Sequence, residues 1–163
     1  LQPTSTMSDL DIKIDKTKSK IPNAYAMADY SIVFTQGLLD KLENKDQISF
    51  VIAHELGHLA NKDYLKMYGK IIAPKLILSI ILGSDDMLSS TMSSGIDVAG
   101  FQFSQEAEKK ADLYAVMLLK KTNKNPQAAI KVMEMFDKMD RQPQWASWLS
   151  THPHPRTRIN YLK

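Results

Sequence analysis

Two of the chain's four histidines, His54 and His58, stand four residues apart in VIAHELGHLA (51–60), with Glu55 beside the first and aliphatic residues around them. Uncompensated charge is costly in such surroundings. On a helix over 46–62, positions i and i+4 share one face about a turn apart. Two imidazole nitrogens placed that way can reach one ion at about 2.0–2.1 Å. Glu55 points obliquely from the pair, within reach of water at the ion without being a ligand. HExxH on a helix is therefore read as two zinc ligands plus the general base of a hydrolase. The alternative, two half-exposed helix histidines, fits poorly with so apolar a helix.

A catalytic zinc takes three protein ligands and keeps a fourth position open. The chain has no cysteine, which excludes disulfides and thiolate sites and leaves His or a carboxylate as the third ligand. In EAEKKADLYA (106–115) a helix presents Glu108 and, at i+4, Asp112. One can bind the ion while the other, a turn away, steadies a ligand histidine. Glu106 is two residues from Glu108 and cannot share its face. By spacing alone, Glu108 and Asp112 are equally an ordinary solvated charged face.

The elements that must position these groups are mostly helical. LDIKID (10–15) alternates as a short strand, and AYAMADYSIVFT (24–35) reads as one long or two short strands broken near Ala28–Asp29. LLDKLEN (38–44) predicts a short helix. Asn44 with Gln47 is a capping-box pattern opening the HExxH helix, which carries Ile48, Val51, Ile52, Leu56 and Leu59. Amphipathic helices are predicted over 104–122 and 126–140, the methionines of the second filling core. Residues 1–9 read as a frayed lead-in and 83–100 as a Ser/Gly-rich loop. The tail, with Pro153 and Pro155, leaves room for one last helical turn. The layout predicts an α+β domain, a small sheet packed against the HExxH helix and the Glu108 helix crossing nearby. Residues 63–100 form a helical excursion flanking or covering the cleft.

At 163 residues the chain makes one catalytic domain, 1–163, with a core of ordinary size. Net charge is only +3, from 21 basic and 18 acidic residues, so nucleic-acid binding gains no support. The apolar run IIAPKLILSIIL (71–82) holds Pro74 and Lys75 and is shorter than the roughly 20 residues of a membrane span. It reads as a buried helix or hydrophobic flap, or else as a surface facing membrane or substrate. The chain starts at Leu1 without a signal-peptide pattern, as a processed form or excised domain would. Asn23, Ala24, Tyr25 and Ala26 form an Ala-rich strand suited to bind an extended peptide by strand addition, the small Ala24 and Ala26 letting it approach closely. The alternative is an interior strand with no ligand.

HELGH followed some fifty residues later by ExxAD resembles the gluzincin peptidases of the CaaX-prenyl-protease/HtpX type, the forty-eighth metallopeptidase family. NAYAMADYSIVFTQGLL (23–39) is similar to that family's NAFAxPGGxIxVxxGLL, SQEAEKKADLYA (104–115) to SRxxExxADxxA, and THPHPRTRI (151–159) to THPxxxxRI. The pattern is nearest to the soluble periplasmic members. The resemblance implies a mainly helical minigluzincin-type domain in which His54, His58 and Glu108 hold one Zn²⁺ and Glu55 is the base. Asp112 is then the outer carboxylate orienting a ligand histidine, and Arg158 pairs with an acidic group such as Asp112. His152 matches the family's HP histidine, which approaches the zinc and blocks or modulates it. It serves alternatively as a donor to the tetrahedral intermediate, or only as a capping residue; His154 falls on a variable position. Asp29–Tyr30 replace the family's Gly-Gly, and Gln105 stands where it usually has Arg.

The leading expectation is thus a zinc metalloendopeptidase of protein quality control, extracytoplasmic by resemblance, acting on a polypeptide bound as an extended strand. A second is a latent or chaperone-like binder whose zinc is blocked by His152. A third is a membrane-associated structural domain using 71–82.

Overall fold

In the computed structural model, described here for residues 12–27, 30–83, 102–139 and 147–163, three short strands form one sheet in the order β1-β3-β2. They are β1 (Ile14–Thr17), β2 (Ala24–Ala26) and β3 (Ile32–Thr35). β3 pairs in parallel with β1 and antiparallel with β2. The alternating segment predicted at 10–15 is therefore strand only from Ile14, because four-residue β3 sets the length of the pairing; Leu10 and Asp11 lie outside the described residues. The predicted break between two strands is present, although Ala28 and Asp29 are also outside them. Tyr30 takes a positive φ of 64°, the turn conformation that costs a glycine least.

Among the described residues seven helices follow: α1 (Gln36–Leu39), α2 (Lys45–Ala60), α3 (Asp63–Leu82), α4 (Gln105–Lys121), α5 (Gln127–Met139), α6 (Ser147–Thr151) and α7 (Pro155–Leu162). The helix predicted over 38–44 is displaced to α1. Thr35 caps it by accepting from Leu38 N–H, and Asn44 is extended as the cap of α2. Asn44 Oδ1 accepts from the amides of Asp46 and Gln47, each at 3.0 Å. Gln47 Oε1 reaches back to the amide of Glu43 at 2.8 Å rather than to Asn44, so the reciprocal half of the box closes one residue early.

α2 is the centre of the molecule. Of its predicted apolar stripe Val51 is buried, while Ile48, Ile52, Leu56 and Leu59 are only partly buried. The side turned fully inward carries Phe50, Ala53, His54, Glu55, Gly57 and His58. β2, α4 and α5 close around it. Phe34, Phe50, Val132, Met133, Phe136 and Trp148 fill the core beside it, with Met133 and Met139 buried as the spacing predicts.

Of the readings of 71–82, the buried helix is corrected. α3 runs through Pro74, but burial on it is concentrated at Asp63 and Met67, while Ile80 and Ile81 are 78% and 73% exposed. An apolar run reports where solvent is avoided only if another element is there to cover it. No helix among the described residues is long and apolar enough to cross a membrane. Residues 84–101, the rest of the predicted excursion, lie outside the described residues.

One close approach sets the site. A Cβ on Gly57 would lie 2.8 Å from Ala111 Cα and 3.0 Å from Ala111 O. Gly57 sits between His54 and His58, and Ala111 between Glu108 and Asp112, so this crossing faces each histidine with a carboxylate. In an open helix Gly→Ala gains about 1 kcal/mol; here the clash is with backbone, which no rotamer relieves. Gly57→Ala is expected to lose about 1–2 kcal/mol net, a fall in Tm of roughly 2–8 °C, together with weaker zinc binding. Calorimetry and metal titration check this, and an unchanged Tm would count against the crossing.

Candidate metal centre

α2 delivers His54 and His58 one turn apart, and their Nε2 atoms lie 3.2 Å from each other. Glu108, one turn into α4 behind the Ser104 cap, brings Oε1 to 3.1 Å from His58 Nε2 and Oε2 to 3.6 Å from His54 Nε2. His152, in the turn after α6, sets Nδ1 at 2.9 Å from Glu108 Oε1 and 3.3 Å from His54 Nε2. All four side chains are buried and their donor atoms lie within 4.8 Å of one another. Ligands on a tetrahedron of 2.0–2.1 Å bonds are about 3.3 Å apart, so nitrogen and carboxylate donors at these separations fit a zinc ion.

The far sides of the ligand rings are tied down. His54 Nδ1 is 3.0 Å from Asp112 Oδ1, and His58 Nδ1 is 3.0 Å from Asp63 Oδ2. Each pairing points a ring's Nε2 at the common centre. Arg158 lies buried among the carboxylates. Its guanidinium donates to Asp112 Oδ2 at 2.9 Å and Oδ1 at 2.7 Å and forms an ion pair with Glu108. Tyr161 Oη donates to Asp112 Oδ2 at 2.6 Å. Glu55 Oε2 accepts from Tyr64 Oη at 2.6 Å, whereas its buried Oε1 has no hydrogen-bond partner. That oxygen is 3.6 Å from His152 Nε2.

These environments divide the titratable groups by task. Burial lowers the His54 pKa, keeping it neutral as metal binding requires. Burial raises that of Glu55, against the pull of His54 and His58, which moves a carboxylate toward general-base range. Burial, the largest influence, would also raise Glu108 and Asp112, but Arg158 acting with His152 and His58 on Glu108 and with His54 on Asp112 outweighs it and holds both ionised. His152 is pushed down to about 4, chiefly by burial and despite Glu108. Burial opposes charge on His58 too, yet hydrogen bonds to Asp63 and Glu108 raise it to about 9.

Of the residues singled out by sequence, His54, Glu55, His58, Glu108, Asp112, His152 and Arg158 come together. Glu106 is exposed and paired with Lys110 at 2.7 Å, and His154 is exposed in the left-handed region. Asn23, Tyr25 and Ala26 line a cleft of about 600 Å³ beside the centre, with Tyr64, Met67, Tyr68, Ile72, Phe103, Thr151 and His152. The Ala24 and Ala26 side chains are instead buried in the core cluster. Their smallness therefore serves packing, because alternate strand residues turn inward.

Asp63, Tyr64, Phe103, Trp148 and Tyr161 were not singled out by sequence. Asp63 and Tyr64 arrive together because Lys62, at φ 56°, turns the chain back onto the face of α2 it has just left. Phe103 stacks on His58 with ring centroids 4.1 Å apart, and Trp148 on His152 at 4.5 Å. Only an acidic residue five positions after His58, just past the Asn61–Lys62 break, left any trace in the sequence; the aromatic partners left none.

Residues 4–163 match the model of Peptidase family M48. The chain is 27% identical over 162 residues to mitochondrial metalloendopeptidase OMA1 of Schizosaccharomyces pombe, covering 98% of this chain and 48% of the relative. It is 27% identical over 170 residues to the human mitochondrial metalloendopeptidase OMA1, covering 96% and 32%. It is 26% identical over 150 residues to metalloprotease LoiP of Escherichia coli, covering 89% and 59%. The chain thus spans between about a third and three fifths of these relatives' lengths.

The His58 value fixes a sign. A ligand held protonated up to about pH 9 in metal-free protein must give up its proton to bind zinc. At pH 7.5, zinc uptake by chelator-stripped protein is expected to release about one proton from His58. Titration calorimetry in buffers of different ionisation enthalpy reads this directly; a heat independent of buffer would refute it.

Proposed function

The chain belongs to peptidase family M48, and from that premise we propose that it is a zinc-dependent metalloendopeptidase cleaving unfolded or misfolded polypeptides. The observation that carries the reading is the buried set of His54, His58 and Glu108 donors beside a buried glutamate with one oxygen unpartnered. The names of its relatives, metalloendopeptidases and a metalloprotease, agree with it. An extracytoplasmic location is part of the same proposal.

His54 Nε2, His58 Nε2 and Glu108 would hold the ion. Zinc supplies Lewis acidity, polarising the scissile carbonyl and acidifying water. Glu55 carries the proton: Oε1 takes it from the attacking water and later hands it to the leaving amine. Tyr64 holds Oε2 at 2.6 Å, so the carboxylate presents its other oxygen to the reaction. Asp112 and Asp63 fix the ring tautomers, and Arg158 keeps Asp112 and Glu108 ionised.

Substrate backbone lies along β2, an edge strand of the sheet. Asn23 Oδ1, buried without a partner and at the cleft, is an acceptor suited to a substrate amide. The cleft offers mainly aromatic and methionine side chains. It suits apolar segments that folded proteins keep covered and unfolded chains expose.

One observation favours a second reading. His152 Nδ1 lies 2.9 Å from Glu108 Oε1 and 3.3 Å from His54 Nε2, within the donor set itself. A histidine there closes the fourth position, giving a latent enzyme or a binder of misfolded chains.

Glu55→Gln is expected to retain zinc while β-casein cleavage falls by about 10²–10⁴; undiminished cleavage with zinc bound would remove Glu55 from the role. His152→Ala separates the two readings. Latency predicts faster casein cleavage than wild type, and donation to the developing oxyanion predicts a loss of roughly 10²-fold or more.

A further inference from the structure

The Tyr64 hydroxyl touches both the base and the substrate edge. It donates to Glu55 Oε2 at 2.6 Å and accepts from the Ala26 amide at 3.2 Å. A phenol has one hydrogen and two lone pairs, so both bonds hold at once, and bonds in series strengthen one another. The Ala26 amide is no ordinary donor. β2 and β3 are antiparallel with Ala26 opposite Ile32, and the next residue, Met27, donates to Ser31 O at 2.8 Å. Alternation along the ladder turns the Ala26 N–H away from β3, onto the edge where an added strand must find its hydrogen bonds.

Resting on the peptidase reading above, we infer that Tyr64 is a positioning residue and a latch: it occupies the Ala26 amide until a substrate carbonyl displaces it, while anchoring Glu55. An incoming peptide takes over the amide, and the hydroxyl keeps its bond to Glu55. Since Glu55 Oε1 has no partner, its aim depends on what holds Oε2. Removing the hydroxyl therefore has two opposite consequences. The edge amide is freed, which tightens substrate binding, and the base is loosened, which slows chemistry. A role in packing alone would not split them.

The test uses the zinc-loaded full chain and fluorescein-labelled β-casein. Tyr64→Phe is expected to lower kcat about tenfold and KM about threefold, with zinc content as in wild type. In a Glu55→Gln background, adding Tyr64→Phe should lower the Kd for casein by about threefold in fluorescence anisotropy. Unchanged kcat, raised KM, weaker casein binding or loss of zinc would each overturn the latch. Should the wild type bind casein without cleaving it, the peptidase reading fails, and the anisotropy comparison still decides whether Tyr64 guards the edge. Tyr64→Leu carries the same readouts if the phenylalanine variant does not fold.

Discussion

Arg158 lies buried against Asp112 and Glu108, and the rest of the site depends on that contact. Glu55, Glu108 and Asp112 are fully buried and Asp63 nearly so. Unpaired carboxylates in such a place neutralise or unfold the protein. The guanidinium keeps two of them charged. It also sits across the face of Trp148, 5.0 Å from the ring, so its position is set by packing as much as by charge. Lys66 pairs with Asp63 at 3.1 Å, which leaves one guanidinium facing three carboxylates, and the raised pKa of His58 registers the remainder. A site so short of positive charge is one a divalent cation completes.

Geometry follows from a single economy of volume. Gly57 has no side chain and Ala111 almost none, so α2 and α4 approach closely enough for carboxylates on one to meet imidazoles on the other. The remaining contacts come from three places: the turn at Lys62, which returns Asp63 and Tyr64; the turn after α6, which inserts His152; and α7, which brings Arg158 and Tyr161. The Phe103 amide donates to Thr151 O at 2.9 Å, and His152 N–H to Trp148 O at 2.9 Å. The aromatic stack of Phe136, Trp148 and His152 stiffens this wall and holds His152 among the donors.

The cleft and the centre share residues, which joins recognition to chemistry. Ala26, Tyr64 and His152 all line the cleft and stand within one or two contacts of Glu55. On the proposed reading, a peptide along β2 would meet Glu55 through Tyr64 and the metal donors beside His152. Access and reactivity are not independent properties of this fold.

How much of this was legible in the sequence varied with distance along the chain. HExxH and the Glu108–Asp112 pair could be read because helix geometry fixes which side chains share a face at i and i+4, whatever surrounds them. The cap at Asn44, the helices of residues 105–121 and 127–139 and the break between strands are local in the same sense. The family resemblance carried Glu108, His152 and Arg158 into the site, where spacing alone left Glu108 evenly poised between a ligand and an ordinary charged face. The buried-helix reading of the run at the end of α3 failed because hydrophobicity says that a surface seeks cover, not that the fold supplies it. Asp63, Tyr64, Phe103, Trp148 and Tyr161 were missed for the converse reason. The sequence by itself determined the donor types and their local faces, since covalent geometry sets a helix's period. Only the tertiary structure decided which atoms meet, since contacts such as His54 with His152, 98 residues apart, depend on how closely whole helices pack.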